Sequence, residues 1–167
     1  MARPRTISDD VVIDAAPELL YTLISDPVHM SRWSPENTGA TTRRPGPAEV
    51  GDRFVGTNKR GAVSWVTESV VTAAEPGVRF AFQVQGWGVR SPSLRVANAS
   101  WEYRFEPVAG GTKVTETWTD DRPWPDVVAN LADRVLTRGS TFADFQRRNI
   151  RTTLDRLKSD VESSPSA

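Results

Sequence analysis

Between Thr38 and Thr119 apolar and polar side chains alternate with a period of two, and on both sides of that block the spacing becomes helical. The alternating part predicts about six strands. TGATTRR (38–44) is a weak strand that ends at Pro45-Gly46-Pro47. DRFVGTNKR (52–60) and AVSWVTESVVTAA (62–74) follow, with Arg60-Gly61 as the turn between them. Glu75-Pro76-Gly77 leads into VRFAFQV (78–84), in which Phe80, Phe82 and Val84 share a face. ANASWEYRFEP (97–107) sets Ala97, Ala99, Trp101, Tyr103 and Phe105 on one side. Ala109-Gly110-Gly111 then turns the chain into TKVTETWTD (112–120).

Upstream, TISDDVVID (6–14) is a first strand. Pro17 suits the first turn of a helix through Leu19, Leu20, Leu23 and Ile24, with Glu18 at its positive end. Asp26-Pro27 repeats the start signal, cap and then proline, so a second short helix follows directly. Downstream of DRPWP (121–125), Val127, Val128, Leu131, Val135, Phe142, Phe145, Ile150, Leu154, Leu157 and Val161 keep to one apolar side of a long helix. Gly139 either kinks that helix or divides it. Arg138, Arg147, Arg148, Arg151, Arg156 and Lys158 lie mostly opposite the stripe and read as a solvated face. The expectation is a single domain over residues 1–167 with a frayed tail at 162–167. Its class is α+β: an antiparallel sheet of about seven strands, two short helices after the first strand, and a long C-terminal helix covering one face.

Composition narrows the chemistry. Among 167 residues there is no cysteine and one histidine, and 21 Lys and Arg balance 21 Asp and Glu. Disulfides, thiolate nucleophiles, cysteine zinc sites and any site needing two imidazoles are excluded. The balanced charge gives no footprint for nucleic acid. No phosphate-cradling glycine loop occurs, no cofactor is implied, and no apolar run is long enough for stable membrane insertion. With no signal-like apolar stretch behind MARPRTISDD, the expected location is the cytoplasm.

The order of elements and a set of short stretches resemble the START-related (SRPBCC) superfamily, in its polyketide cyclase/dehydrase-like branch. The stretches are APELLYTLISD (16–26), MSRWSPE (30–36), VGDRFVGTNKRG (50–61), Trp65 and Thr67, EPGVRFAFQV (75–84), WEYRFEPVAGGTKVTETW (101–118) and TLDRLK (153–158). The resemblance implies a helix-grip fold, a curved sheet wrapped around the C-terminal helix with a cavity between them. It does not imply a reaction, because the fold hosts many.

Alternation supplies a set of inward residues for that cavity. Phe54, Gly56 and Asn58 share one face. Trp65, Thr67 and Ser69 come next, then Phe80 and Phe82, then Trp101 and Tyr103, then Val114, Glu116 and Trp118. A hairpin centred on Ala109-Gly110-Gly111 sets Tyr103 opposite Glu116 and Trp101 opposite Trp118. A slip of one residue would reverse every face, exposing Glu116 and burying Thr115, Thr117 and Thr119. With Met30 and Trp33 from the second short helix and Phe142 and Phe145 from the last, these residues make an aromatic pocket whose polar groups are Asn58, Thr67, Tyr103 and Glu116. Glu116 is the candidate acid or base, since a carboxylate among aromatics loses solvation. A structural hydrogen bond is its other reading. His29, in the first turn of the second helix, is expected to be mostly exposed, with Met30 and Trp33 in a lid at the cavity mouth. Glu36 reads as a surface carboxylate, with a place at the same mouth as its other reading.

Three functions fit. The first is binding of a small hydrophobic or aromatic molecule. The second is a cyclase or dehydratase using the same cavity. The third is a protein-interaction module, and an exposed sheet edge makes a homodimer unsurprising.

Overall fold

A computed structural model describes residues 4–126, 131 and 142–164. The elements follow in the order β1 (Thr6–Ile13), α1 (Pro17–Ile24), a 3-10 turn (Pro27–His29), α2 (Met30–Trp33), β2 (Asn37–Thr42), β3 (Arg53–Arg60), β4 (Val63–Glu75), β5 (Arg79–Gly88), β6 (Leu94–Val108), β7 (Gly111–Asp120) and α3 (Phe142–Ser163). The seven strands form one sheet ordered β1-β7-β6-β5-β4-β3-β2, and every neighbouring pair is antiparallel. Consecutive strands from β2 to β7 are therefore neighbours. The two helical segments after β1 carry the chain to the opposite edge, where β2 begins. This is the helix-grip arrangement that the family resemblance implies, built from the strands and helices that the alternation predicts.

The start signals act as expected. Pro17 opens α1, and the Asp26 carboxylate accepts from Val28 N at 3.1 Å to cap the 3-10 turn that Pro27 begins. The β6–β7 turn needs glycine. Gly111 has φ +130°, and a Cβ there would lie 2.0 Å from the Ile13 carbonyl oxygen. Two strands outrun the alternation. β5 continues to Gly88 and β6 begins at Leu94, because a bulge between Val84 and Gly86 restores pairing beyond the point where glycines interrupt the pattern. Further register shifts, at Glu68/Ser69 and Val71/Ala73 in β4, bend the sheet in the same region.

The concave face carries the core. Ile150, Leu154 and Leu157 of α3 are fully buried against the sheet, as are Val114 and Trp118 of β7. α1 closes one end: the Tyr21 ring meets Phe80 and Phe105 edge-on, at 6.4 and 6.0 Å between centroids. Burying each such side chain stabilises the fold by roughly 1.5–3 kcal/mol before conformational entropy is counted. Part of the basic face of α3 is less solvated than expected. Arg151 pairs with Asp9 and Asp155, and Lys158 reaches the Val12 carbonyl and Glu162. Leu131, assigned to the apolar side, is instead exposed. Val127, Val128, Val135 and the break at Gly139 lie outside the described residues.

Candidate functional site

Where α3 crosses the sheet the packing is incomplete, leaving a cavity of about 120 Å³. Five strands and three helices build it. The register is the one in which Tyr103 faces Glu116 and Trp101 faces Trp118, so the glutamate points to the concave side and Thr115, Thr117 and Thr119 do not. Phe82, Trp101, Tyr103 and Glu116 form the floor, with Asn58 at the β3 end. Met30 and Trp33, three apart on α2, project inward together with Ile24. From α3 come Asn149, Thr153 and Leu157, spaced four apart on one helical face.

Glu116 is the chemical centre of this arrangement. It is 1 % exposed, and the Tyr103 hydroxyl donates to its Oε1 at 2.9 Å. Its Oε2 is buried and has no hydrogen-bond partner among the described residues. Loss of solvation pushes its pKa up from 4.5 to about 8, the tyrosine hydrogen bond opposes this, and the charge of Asp9, its cross-strand neighbour on β1, adds to it. Burial raises the Tyr103 phenol well above its usual range, and the adjacent glutamate raises it further. At neutral pH the pair is a carboxylic acid beside a phenol, and the carboxyl is the one poised to give a proton.

The second carboxylate of the cavity is held differently. Glu36 accepts from Arg60 Nε at 2.7 Å through Oε1 and from Asn149 Nδ2 at 3.0 Å through Oε2, which ties the β2 approach to β3 and α3. Asn58 donates to Thr67 Oγ1 at 3.3 Å, so Thr67 stands behind Asn58 and does not itself line the cavity. Gly56 makes room for this cluster, since a Cβ there would come within 3.2 Å of both the Asn37 amide nitrogen and Thr67 Oγ1.

Eight of the residues singled out from the sequence therefore meet in one place: Met30, Trp33, Glu36, Asn58, Phe82, Trp101, Tyr103 and Glu116, with Glu36 drawn in from the surface by Arg60 and Asn149. Others do not reach it. Phe54 packs edge-on against Phe82, with 5.2 Å between centroids, and Phe80 is sealed under Tyr21. Trp118 is 1 % exposed, with Ile7 of β1 opposite it, and fills the core beyond the cavity. Trp65 and Phe145 flank the Arg60 guanidinium, 5.6 and 3.8 Å from its carbon to their ring centroids. The side chain of Phe142 lies outside the described residues. His29 is half-buried rather than mostly exposed: its Nδ1–H donates to the Leu23 carbonyl at 3.2 Å, and it does not border the cavity.

A family model described as polyketide cyclase/dehydrase and lipid transport matches residues 4–162. The chain belongs to this family. Solved structures agree on the fold. Protein CV1439 from Chromobacterium violaceum is 16 % identical, with a TM-score of 0.68 over 96 % of this chain and 100 % of that one. Protein MLL2253 from Mesorhizobium loti is also 16 % identical, with a TM-score of 0.67 over 97 % and 100 %. The Polyketide_cyc-like protein Cgl2372 from Corynebacterium glutamicum is 26 % identical, with a TM-score of 0.60 over 97 % and 94 %. A comparison with curated proteins found no match. No helix among the described residues is long and apolar enough to cross a membrane.

Within this polyketide cyclase/dehydrase and lipid transport fold, sequence reasoning missed Ile24, Ser34, Asn37, Asn149, Thr153 and Leu157 in the wall. Asn149 and Thr153 left a signal: polar residues beside Ile150 and Leu154 on the buried side of a helix. Ser34 and Asn37 left none. They are placed by the turn in which Ser34 Oγ accepts from the Glu36 and Asn37 amides, at 3.4 and 3.2 Å.

Proposed function

We propose that this chain binds a small hydrophobic or aromatic molecule in the cavity between the sheet and α3. The observation that carries the proposal is the lining: apolar side chains such as Ile24, Met30, Phe82, Trp101 and Leu157 surround a few convergent polar groups. A volume of about 120 Å³ is several times what a single water needs, and this make-up is that of a small-molecule site. Membership of a family described by cyclisation, dehydration and lipid transport supports an apolar ligand. Native mass spectrometry of protein from its own cells, set against a denatured sample, tests it. A co-purifying apolar metabolite is the expected result. An empty protein that also fails to bind apolar dyes would overturn the reading.

The Glu116–Tyr103 pair favours a second reading, a cyclase- or dehydratase-type enzyme working in the same cavity. An uncharged carboxylic acid at neutral pH can protonate a leaving hydroxyl or a carbonyl, then recover the proton from an enolisable carbon. With the co-purified molecule or its precursor as substrate, Glu116→Gln separates the two readings. Turnover lost while binding survives makes the chain an enzyme, and an unchanged bound molecule makes it a carrier.

A further inference from the structure

We infer that the cavity selects an uncharged ligand bearing a carbonyl oxygen, which Glu116 holds by donating a hydrogen bond, and that it rejects the corresponding carboxylate. The inference rests on the ligand-binding reading and adds the chemical class of the ligand.

Two observations converge on it. The first is the spare oxygen. Tyr103 O–H occupies Glu116 Oε1 at 2.9 Å, while Oε2 is buried without a partner among the described residues, on a side chain that lines the cavity. Buried polar atoms are nearly always satisfied, and one left over in a cavity marks where a ligand atom is to go. With the phenol donating to Oε1, the acid proton resides on Oε2, so the spare atom is a donor and calls for an acceptor.

The second observation is the distribution of charge. None of the described residues that line the cavity is lysine, arginine or histidine, whereas two are glutamates. Guanidinium groups next to the lining are engaged: Arg60 by Glu36, Arg32 by Asp160, Arg156 by the Trp33 carbonyl, and Arg151 by Asp9 and Asp155. The other groups around Glu116 are neutral or acidic. Asp9 faces it from β1, Tyr103 from β6, Asn58 from β3, and Asn149 and Thr153 from α3. A ligand carboxylate entering here would lose its solvation and meet no cation. A ketone, aldehyde or ester loses little solvation and gains the Glu116 proton.

A matched series decides the matter: 2-acetylnaphthalene, 2-ethylnaphthalene and 2-naphthoate, titrated by fluorescence on either side of the Glu116 midpoint of about 8. Near pH 6 the ketone is expected to bind about tenfold tighter than the hydrocarbon, one hydrogen bond's worth of affinity. Its carbonyl infrared band shifts to lower frequency on binding. Near pH 10, with Glu116 ionised, the preference and the band shift are lost. Naphthoate binds at neither pH. Glu116→Gln, whose amide N–H₂ still donates, keeps the ketone preference at both pH values. Glu116→Leu removes it while 2-ethylnaphthalene still binds. Ketone and naphthoate binding alike without pH dependence would overturn the selectivity and leave the cavity reading standing. Failure of all three to bind would overturn the cavity reading, and this inference with it.

Discussion

Trp33 Nε1 donates to Asp160 Oδ2 across 2.8 Å, fastening α2 to the C-terminal helix from the far side of the cavity. Arg32 reaches the same carboxylate oxygen at 2.7 Å, and Arg156 Nη1 donates to the Trp33 carbonyl at 3.4 Å. One carboxylate thus fixes a short helix that has little packing of its own beyond the buried Trp33 ring, and that helix is part of the cavity wall. The stretch around the single histidine is thus tied to α3, and His29 braces it through Leu23.

Asp160→Ala is expected to loosen that tie. It removes an indole hydrogen bond and a partly exposed ion pair, a loss of about 1–2 kcal/mol in urea denaturation. Dissociation of a bound hydrocarbon such as 2-ethylnaphthalene, followed by stopped-flow fluorescence, should accelerate severalfold. A dissociation rate equal to that of the unaltered protein would show that α2 does not control exit.

Glu36 depends on Arg60 in a comparable way, but at the cavity itself. The glutamate side chain is 15 % exposed and that of the arginine 29 %. Arg60→Met removes the guanidinium that lies between Trp65 and Phe145 and leaves Glu36 with Asn149 as its side-chain partner. A destabilisation of about 1–3 kcal/mol is expected. Adding Glu36→Gln should restore part of it, because the amide can accept from Asn149 without a buried charge. A double variant no more stable than the single one would mean that the arginine acts through its stacking.

The distribution of what the sequence disclosed follows from the physics of strands and loops. Period-two alternation fixes which side of a strand is buried, so the Phe82, Trp101–Trp118 and Tyr103–Glu116 positions were legible once the Ala109-Gly110-Gly111 turn set the register. Alternation does not say how far along the concave face the cavity extends. Phe80 and Trp118 have the same pattern as Phe82 and Trp101, yet Tyr21 covers the one and the β1–β7 pairing buries the other. Trp65 and Phe145 were drawn off by the Arg60 cation, a long-range contact with no local signature. The β5 and β6 extensions were hidden by glycines that serve a bulge.

Asp120 and Arg122 form a bidentate pair just after β7. Arg122 Nε and Nη2 donate to the two carboxylate oxygens at 2.9 and 2.7 Å, and the side chains are only 1 % and 7 % exposed. Arg122→Met takes the guanidinium away from a buried carboxylate, which keeps the Arg122 backbone amide at 3.0 Å, and should cost about 3–5 kcal/mol. Pairing it with Asp120→Asn should recover much of this, since a neutral side chain carries a far smaller desolvation penalty. Thermal denaturation of the single and double variants checks both statements, and a single variant within about 1 kcal/mol of the parent would contradict them.

Glu116 makes stability depend on pH in a direction opposite to most acidic groups. Its carboxyl titrates near 4.5 in an unfolded chain and at about 8 in the folded one. Below 4.5 both states hold the proton, and the contribution of the buried neutral acid is fully present. Between 4.5 and about 8 the unfolded chain has released its proton while the folded chain retains it, so the free energy of unfolding falls as pH rises. The slope approaches about 1.4 kcal/mol per pH unit at its steepest. Above about 8 both states are ionised, and the loss is complete. Other titrating groups are common to the parent and Glu116→Gln, so the difference between their stabilities isolates this one. Expected is a parent that loses ground to Glu116→Gln steadily from about pH 5 to pH 8, measured by urea denaturation, with no further divergence beyond. A constant difference across that window would mean that Glu116 is ionised inside the fold, and the cavity would then hold an anion in place of an acid.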